Sequence, residues 1–218
     1  MAIAHVLQFQ VSPGQRPAWL AAAKQIKRSA ERNGATARWY SPVVGGNPNV
    51  IARVTRFADL AAFATFTEAM RKDPDMQKAM DALREIQINV LATAINRDIT
   101  DEIDSLKTPE PGAPLVHGIQ LQIAPGKRQA WLQSSKELRS IANKHGLRMA
   151  RWSEPTVGGV SGTVMGAWGF ESLDAWAKER QKALDSGYVN AASQFMAGQK
   201  EVPAVAVNSA LMREITDI

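Results

Sequence analysis

The stretch that decides the fold is His5-Val-Leu-Gln-Phe-Gln-Val-Ser-Pro-Gly14, because it returns later as His117-Gly-Ile-Gln-Leu-Gln-Ile-Ala-Pro-Gly126. The ends of the two halves also match, since Arg97-Asp-Ile-Thr-Asp101 returns as Arg213-Glu-Ile-Thr-Asp217. Matching positions stay between 112 and 116 residues apart, so a few short insertions reconcile the halves. The chain is therefore a tandem repeat of a unit of about a hundred residues.

Each copy begins with the pattern of a strand followed by a helix. Apolar and polar residues alternate over 5–11, which predicts a strand. Pro17 suits the first position of a helix, and Gly34 suits the left-handed position that ends one. The next strand is marked by Ala37-Arg-Trp39, which returns as Ala150-Arg-Trp152.

The rest of each copy reads as a hairpin, a broken helix and a last strand. The hairpin strands are predicted over 35–41, 49–57, 147–153 and 162–170. Asp59 and Ser172 are expected to cap the second helix, and Asp73-Pro74 and Ser186-Gly187 to break it. The last strands are predicted over Val90–Ile95 and Val205–Leu211.

These elements predict an α+β protein made of two β-α-β-β-α-β, ferredoxin-like repeats. The repeats span 1–103 and 115–218, and a connector over 104–114 with three prolines and a glycine joins them. Such a unit places both helices on one face of an antiparallel sheet and leaves the other face bare. We therefore expect the two copies to pack sheet to sheet as a fused α/β barrel, which would cover both bare faces.

The pattern resembles the dimeric α/β-barrel superfamily, in a tandem fused version similar to the NIPSNAP and antibiotic-biosynthesis monooxygenase proteins. The resemblance rests on the Pro-Gly turn before a helix with Trp19 or Trp131, on the Gly-Gly hairpins, and on the helix entries Phe57-Ala-Asp-Leu60 and Phe170-Glu-Ser-Leu173. It implies a functionally mixed group that includes cofactor-free monooxygenases, haem enzymes and cyclases. No histidine here matches a haem-ligand motif, so we expect no cofactor.

Composition excludes several classes of function. The net charge of +5 is spread over both halves without a basic run, which argues against nucleic acid as a partner. The absence of cysteine excludes disulfides and thiolate chemistry. No apolar stretch approaches the ~20 residues of a membrane helix, and no signal peptide is evident, so we expect a soluble cytoplasmic protein.

Strand one supplies the first candidate binding residues. If Leu7, Phe9 and Val11 face the helices, the intervening glutamines face the interior between the sheets. The predicted polar lining consists of Gln8, Gln10, Gln120 and Gln122. Such amides could bind a neutral ligand, or they could satisfy one another across the interface between repeats.

Arginine and tryptophan supply further candidates. Arg38 and Arg151 could each clamp a carboxylate, or each could lie at a rim beside a tryptophan packed under a helix. Arg53 corresponds to Gly166, and Thr55 corresponds to Trp168, so the repeats diverge on this strand. We expect Arg53 and Trp168 to contribute to one ligand site that spans both halves, although drift at an unused site would give the same pattern.

His5 and His117 are the candidate catalytic residues, because imidazole can act as a general base near neutral pH. Both could instead be surface residues at strand starts. No carboxylates stand beside them at metal-ligand spacing, so no metal site is predicted.

Three functions remain open from the sequence. The first is a small-molecule-binding or accessory protein. The second is a cofactor-independent enzyme, of monooxygenase, cyclase or lyase type, that acts on an aromatic or polyketide-like compound. The third is a structural pseudo-dimer that associates further, for example as a homodimer.

Overall fold

The computed structural model describes residues 2–103, 112–199 and 201–218 of the chain. Within them, each repeat has the order β-α-β-β-α-α-β, because the second helix is divided in two. The strands are β1 (Ile3–Val11), β2 (Ala37–Val44), β3 (Val50–Phe57), β4 (Ile88–Asp98), β5 (Leu115–Ile123), β6 (Arg151–Gly158), β7 (Thr163–Phe170) and β8 (Ala204–Glu214). The helices are α1 (Arg16–Arg32), α2 (Leu60–Lys72), α3 (Pro74–Arg84), α4 (Thr100–Ile103), α5 (Arg128–Lys144), α6 (Leu173–Asp185) and α7 (Tyr188–Ala197).

The predicted class, α+β with two ferredoxin-like repeats and antiparallel strands, is confirmed by this order and by the strand pairing. The connector over 104–114 lies mostly outside the described residues. Among the described residues, no helix is long and apolar enough to cross a membrane.

The chain divides into two compact units, and each unit takes segments from both repeats. Unit 1 comprises the first repeat up to Arg97, the hairpin end Pro155–Gly159 and the last residues Met212–Ile218. Unit 2 comprises Asp98–Glu154 and Val160–Leu211. The predicted division at 104–114 follows the order of the elements along the chain. As a boundary between domains it stays a prediction.

In unit 1 the strands follow the order β4-β1-β3-β2, and β2 is followed by the end of β8. Phe9 on β1, Trp39 on β2 and Ile51 on β3 share one face of the sheet and form a buried core with Trp19 and Ile26 of α1. The rings of Trp19 and Trp39 meet edge to face with centroids 5.6 Å apart. The helix-facing residues of strand one are therefore those predicted from the sequence.

Unit 2 repeats this arrangement with the strand order β8-β5-β7-β6. Trp131 of α5 and Trp152 of β6 take the places of Trp19 and Trp39, with ring centroids 5.4 Å apart. They pack with Ile123 and Val164 in a buried core. One packing solution thus serves both copies of the sequence.

The predicted helix signals are confirmed. The Asp59 carboxylate accepts a hydrogen bond from the Ala62 N–H at 2.8 Å, and the Ser172 hydroxyl accepts one from the Ala175 N–H at 3.1 Å. Asp73-Pro74 separates α2 from α3. Ser186-Gly187 separates α6 from α7, and Gly187 adopts the left-handed conformation, with φ of 79°.

The main differences from the sequence prediction lie at the ends of strands. The second-repeat hairpin strand was expected over 147–153 but runs over Arg151–Gly158, because it continues past Pro155 into pairing with β4 in unit 1. The short helix α4 was not predicted. It begins at Thr100, whose backbone N–H donates to the Asp98 carboxylate at 2.8 Å.

Candidate functional site

His5 lies on the helix-facing side of unit 1, on the same side as Leu7 and Phe9. Its Nδ1 is 3.4 Å from Arg53 Nη2, and its Nε2 is 3.3 Å from Thr93 Oγ1. The ring of Phe63, from α2, lies against the imidazole with centroids 5.3 Å apart. We call these side chains, with Trp39, the His5 cluster.

Arg53 is the charged member of this cluster. Its guanidinium carbon lies 5.6 Å from the centre of the Trp39 ring, which faces it from the paired strand. Its Nε is buried and makes no hydrogen bond, and the same holds for the Trp39 Nε1. No carboxylate of the described residues forms an ion pair with Arg53.

The contacts determine which ring nitrogen of His5 carries the proton. A guanidinium has only donors, so Arg53 must donate to Nδ1, and the imidazole proton then sits on Nε2, which donates to Thr93. Burial, followed by the charge of Arg53, lowers the pKa of His5 to about 4. Burial lowers the pKa of Arg53 to about 10. At neutral pH the cluster therefore pairs a neutral imidazole with a cationic guanidinium.

His117 occupies the equivalent place in unit 2. Its Nε2 is 3.0 Å from Ser209 Oγ, the counterpart of the bond to Thr93. The Trp168 ring stacks on the imidazole with centroids 5.5 Å apart, and Trp176 of α6 meets it edge to face at 6.4 Å. Burial, followed by the charge of Arg180, lowers the pKa of His117. We call these residues, with Trp152, the His117 cluster.

Gly166 stands where the first repeat has Arg53. A Cβ there would lie 2.9 Å from two ring atoms of Trp152 and 3.0 Å from the Ile119 side chain. The space that the Arg53 side chain takes in unit 1 is thus occupied by aromatic and aliphatic groups in unit 2. The divergence noticed in the sequence is a change of chemistry at one helix-facing position.

The four predicted glutamines lie on the other face of their sheets. Gln8 and Gln10 pair with Ala52 and Val50, in the phase opposite to Arg53. In unit 2, the Gln122 side chain donates to the Ser161 carbonyl at 3.1 Å. All four glutamines, which include Gln120, are partly buried. The structure therefore separates the glutamines from Arg53 and Trp168, and their role in binding stays a prediction.

Arg38 and Arg151 both form ion pairs. Arg38 Nη1 lies 2.9 Å from Glu214 Oε2, and Arg151 pairs with Asp98, the matching residue of the other repeat. Matching backbone bonds accompany them, from the Ile215 N–H to the Trp39 carbonyl and from the Ile99 N–H to the Trp152 carbonyl. These two arginines hold the end of one repeat to a strand of the other.

Sequence reasoning missed Thr93, Ser209 and Trp176, which complete the two clusters. Thr93 and Ser209 lie on the last strand of each repeat, and only the strand pairing shows that they reach the histidines. Trp176 has Phe63 as its counterpart, and that aromatic match was a usable signal. No group of three or more possible metal ligands occurs within residues 2–103, 112–199 and 201–218.

No protein-family model matches the chain, and no curated protein sequence matches it. Solved structures match it along nearly its whole length. A candidate monooxygenase from Lactobacillus acidophilus NCFM is 7% identical with a TM-score of 0.60, over 100% of this chain and 94% of that one. A variant of chlorite dismutase from Candidatus Nitrospira defluvii is 12% identical with a TM-score of 0.57, over 99% and 92%.

An anthrone oxidase-like protein is also similar, at 11% identity and a TM-score of 0.53, over 96% of this chain and 91% of that one. The tandem two-repeat fold that the resemblance implies is confirmed by these structures. At these identities the likeness carries the fold alone, and the chemistry must be argued from the clusters.

Proposed function

We propose that the protein binds a small organic anion, an aromatic carboxylate in the simplest case, at the His5 cluster, and serves as a binding or accessory protein. The observation that carries this proposal is the Arg53 guanidinium, which has no carboxylate partner among the described residues. Arg38 and Arg151, the other strand arginines singled out from the sequence, each have one.

A cation withdrawn from water without a counter-ion is unfavourable, and an incoming anion reverses that cost. The unbonded Nε of Arg53 and the unbonded Nε1 of Trp39 are two N–H donors on opposed residues of paired strands. Both could donate to the oxygens of a carboxylate. Phe63 and the neutral ring of His5 offer apolar surface to the rest of an aromatic ligand.

The experiment is calorimetric titration with benzoate at pH 7, with benzamide as the neutral analogue of equal shape. We expect benzoate to bind and benzamide to bind at least 10-fold more weakly. Arg53→Met should abolish benzoate binding. Arg56→Gln is the matched control, because Arg56 lies on the same strand in the opposite phase and is exposed.

The same variant tests the cost of the unpaired charge. Arg53→Met keeps the length of the side chain and removes the cation, so it should raise the free energy of unfolding by about 1 kcal/mol. Urea denaturation measures this. A variant that is less stable than the parent and still binds benzoate would contradict the proposal.

A cofactor-independent enzyme is the second candidate, with His5 or His117 as the base and Arg53 as the stabiliser of an enolate. The solved structures with monooxygenase and anthrone oxidase-like names favour testing it. The geometry ranks it second, because the free lone pair of His5, on Nδ1, already faces Arg53. The test is conversion of anthrone and O2 to anthraquinone and water, with His5→Ala and His117→Ala as variants.

Further association is a third proposal, which the exposed apolar side chains on the last strands support. Val90 and Leu91 on β4 are about half exposed, and so are Val205 and Val207 on β8. Light scattering after size exclusion would give the mass, and a strictly monomeric mass would exclude a homodimer. The cytoplasmic location expected from the sequence is a separate prediction and stays one.

A further inference from the structure

We propose that the His117 cluster of unit 2 is a second binding site, which takes a neutral, planar aromatic molecule carrying a carbonyl oxygen. This site is separate from the anion site proposed for the His5 cluster. It involves other residues, so either site can fail without the other.

Two buried donors without acceptors carry the inference. The Nε1 atoms of Trp152 and Trp176 are buried and make no hydrogen bond. Trp152 as a whole is only 7% exposed, so bulk water does not satisfy it. An indole N–H has no second hydrogen-bonding role, and leaving it buried and unbonded is unfavourable. A ligand oxygen that accepts from either donor would remove the cost at that donor.

The surroundings of the two donors define the rest of the ligand. Trp168 lies 5.5 Å from His117 and 6.4 Å from Trp152 between ring centroids. Flat aromatic surfaces of this kind favour a flat aromatic partner in offset or edge-to-face contact.

The charge of the site indicates a neutral ligand. His117 is neutral at pH 7, because burial and Arg180 lower its pKa. Arg180 is exposed, so water screens its charge, and it lowers that pKa less than burial does. The buried donors are uncharged indoles, which suit the oxygen of a carbonyl group.

The comparison with unit 1 strengthens the inference. Phe63 stands in place of Trp176 there and has no N–H, and Arg53 stands in place of Gly166. The second repeat thus has one more buried, unbonded indole donor and lacks the buried cation. Such a difference favours a separate ligand class for each cluster.

The experiment is an NMR titration with coumarin, a neutral planar aromatic lactone with one carbonyl acceptor. The six tryptophans give six indole N–H signals, which single Trp→Phe variants assign. We expect coumarin to shift the signals of Trp152 and Trp176 and to leave that of Trp19 in place. Naphthalene, which has the shape without the acceptor, should bind more weakly and cause no downfield shift.

The matched variant is Trp176→Phe, which installs the residue that the first repeat has at this place. It keeps the aromatic packing and removes one donor, so coumarin should bind about 3- to 10-fold more weakly. Phe66→Leu, an aromatic change in unit 1, should leave coumarin binding unchanged. If the indole N–H signals of Trp152 and Trp176 do not shift at about 1 mM coumarin, the proposal is overturned. It is also overturned if these protons exchange with a trapped water molecule, because that water would already be their acceptor.

Discussion

The His5 cluster and the His117 cluster occupy the same position in the two repeats, and they differ in chemistry. Both place a neutral imidazole on the helix-facing side of the first strand, bonded through Nε2 to a hydroxyl on the last strand. The first adds a guanidinium, and the second adds indoles. The duplication has kept the anchor of the site and changed what surrounds it.

The volumes of the changed residues explain why this exchange is tolerated. In the first repeat a long Arg53 stands beside a small, buried Thr55, and in the second a glycine stands beside Trp168. Each pair sums to a similar bulk, so the exchange conserves the total side-chain volume at this level beneath the helices. We therefore expect a substitution at one of the two positions to require a compensating substitution at the other.

The largest expected effect comes from transferring one residue of that pair alone. Gly166→Arg places a side chain where a Cβ already meets Trp152 at 2.9 Å. We expect it to lower the free energy of unfolding by about 3 kcal/mol, because it overpacks the layer and buries a charge. Urea denaturation measures this loss.

Two further variants sharpen this test. Adding Trp168→Thr to Gly166→Arg should restore at least half of the lost stability, because it recreates the pair of the first repeat. Ala167→Arg, exposed and in the opposite phase, should change stability little. A well-tolerated Gly166→Arg would show that the two residues are independent.

The second effect concerns pH and the His5 imidazole. Its pKa in the folded chain, about 4, lies below the ordinary 6.5, so the unfolded chain takes up the proton first as the pH falls. The stabilising contribution is complete above pH 6.5 and is lost progressively towards pH 4. Because part of the ring is exposed, we expect the free energy of unfolding to fall by about 2 kcal/mol, which is less than the whole pKa shift would give.

Urea denaturation at pH 7, 5.5 and 4 measures that loss, with His5→Gln as the variant. The stability difference between the parent and His5→Gln should shrink as the pH falls. His117→Gln provides the comparison. Parallel pH profiles for the parent and His5→Gln would contradict the account.

The third effect tests the ion pairs between the repeat ends. Burial by itself would raise the pKa of Asp98, but hydrogen bonds from Thr100 and the guanidinium of Arg151 outweigh it and hold the pKa low. The contribution to stability is therefore present above about pH 4 and is lost below it. Arg151→Met should cost about 1 kcal/mol at pH 7, measured by urea denaturation, and should flatten the decline between pH 5 and pH 3.

The equivalent change in the other repeat is Arg38→Met, which frees Glu214 from its ion pair. It should cost a similar amount, since the two pairs match in position. A loss in only one variant would show that the repeat ends are not held equivalently.

The smallest effect concerns the hydroxyl anchors. Thr93→Val and Ser209→Ala each remove one hydrogen bond to a histidine, so each should lower the free energy of unfolding by about 0.5 to 1 kcal/mol. Thermal unfolding of both variants measures it. An increase in stability would mean that the hydroxyls do not bond the imidazoles.

Much of the fold could be predicted because its signals are local. The alternation of strand one, the caps at Asp59 and Ser172 and the break at Asp73-Pro74 each act within a few residues. The exchange of strand ends could not be predicted in this way. Glu214 meets Arg38 across 176 residues of sequence, and no local pattern encodes that register.

The candidate site was predicted only in part. His5, Arg53 and Trp168 were singled out, but Arg53 and Trp168 were assigned to one ligand site, whereas Arg53 lies beside His5 and Trp168 lies beside His117. The pattern of β3 held the missing signal. Arg53 and Thr55 lie at every second position between the buried Ile51 and Phe57, so all four share the helix-facing side of the strand. A charged residue in an apolar phase is what a site beneath the helices requires.

The most direct test of the contrast between the clusters is an NMR titration of the histidine ring protons with and without benzenesulfonate, which stays ionised down to pH 4. An anion held by Arg53 would stabilise the charged form of the adjacent imidazole. We expect saturating benzenesulfonate to raise the pKa of His5 by at least one unit from about 4 and to leave that of His117 unchanged. If the pKa of His5 does not move, or if both histidines move together, the His5 cluster is not the anion site.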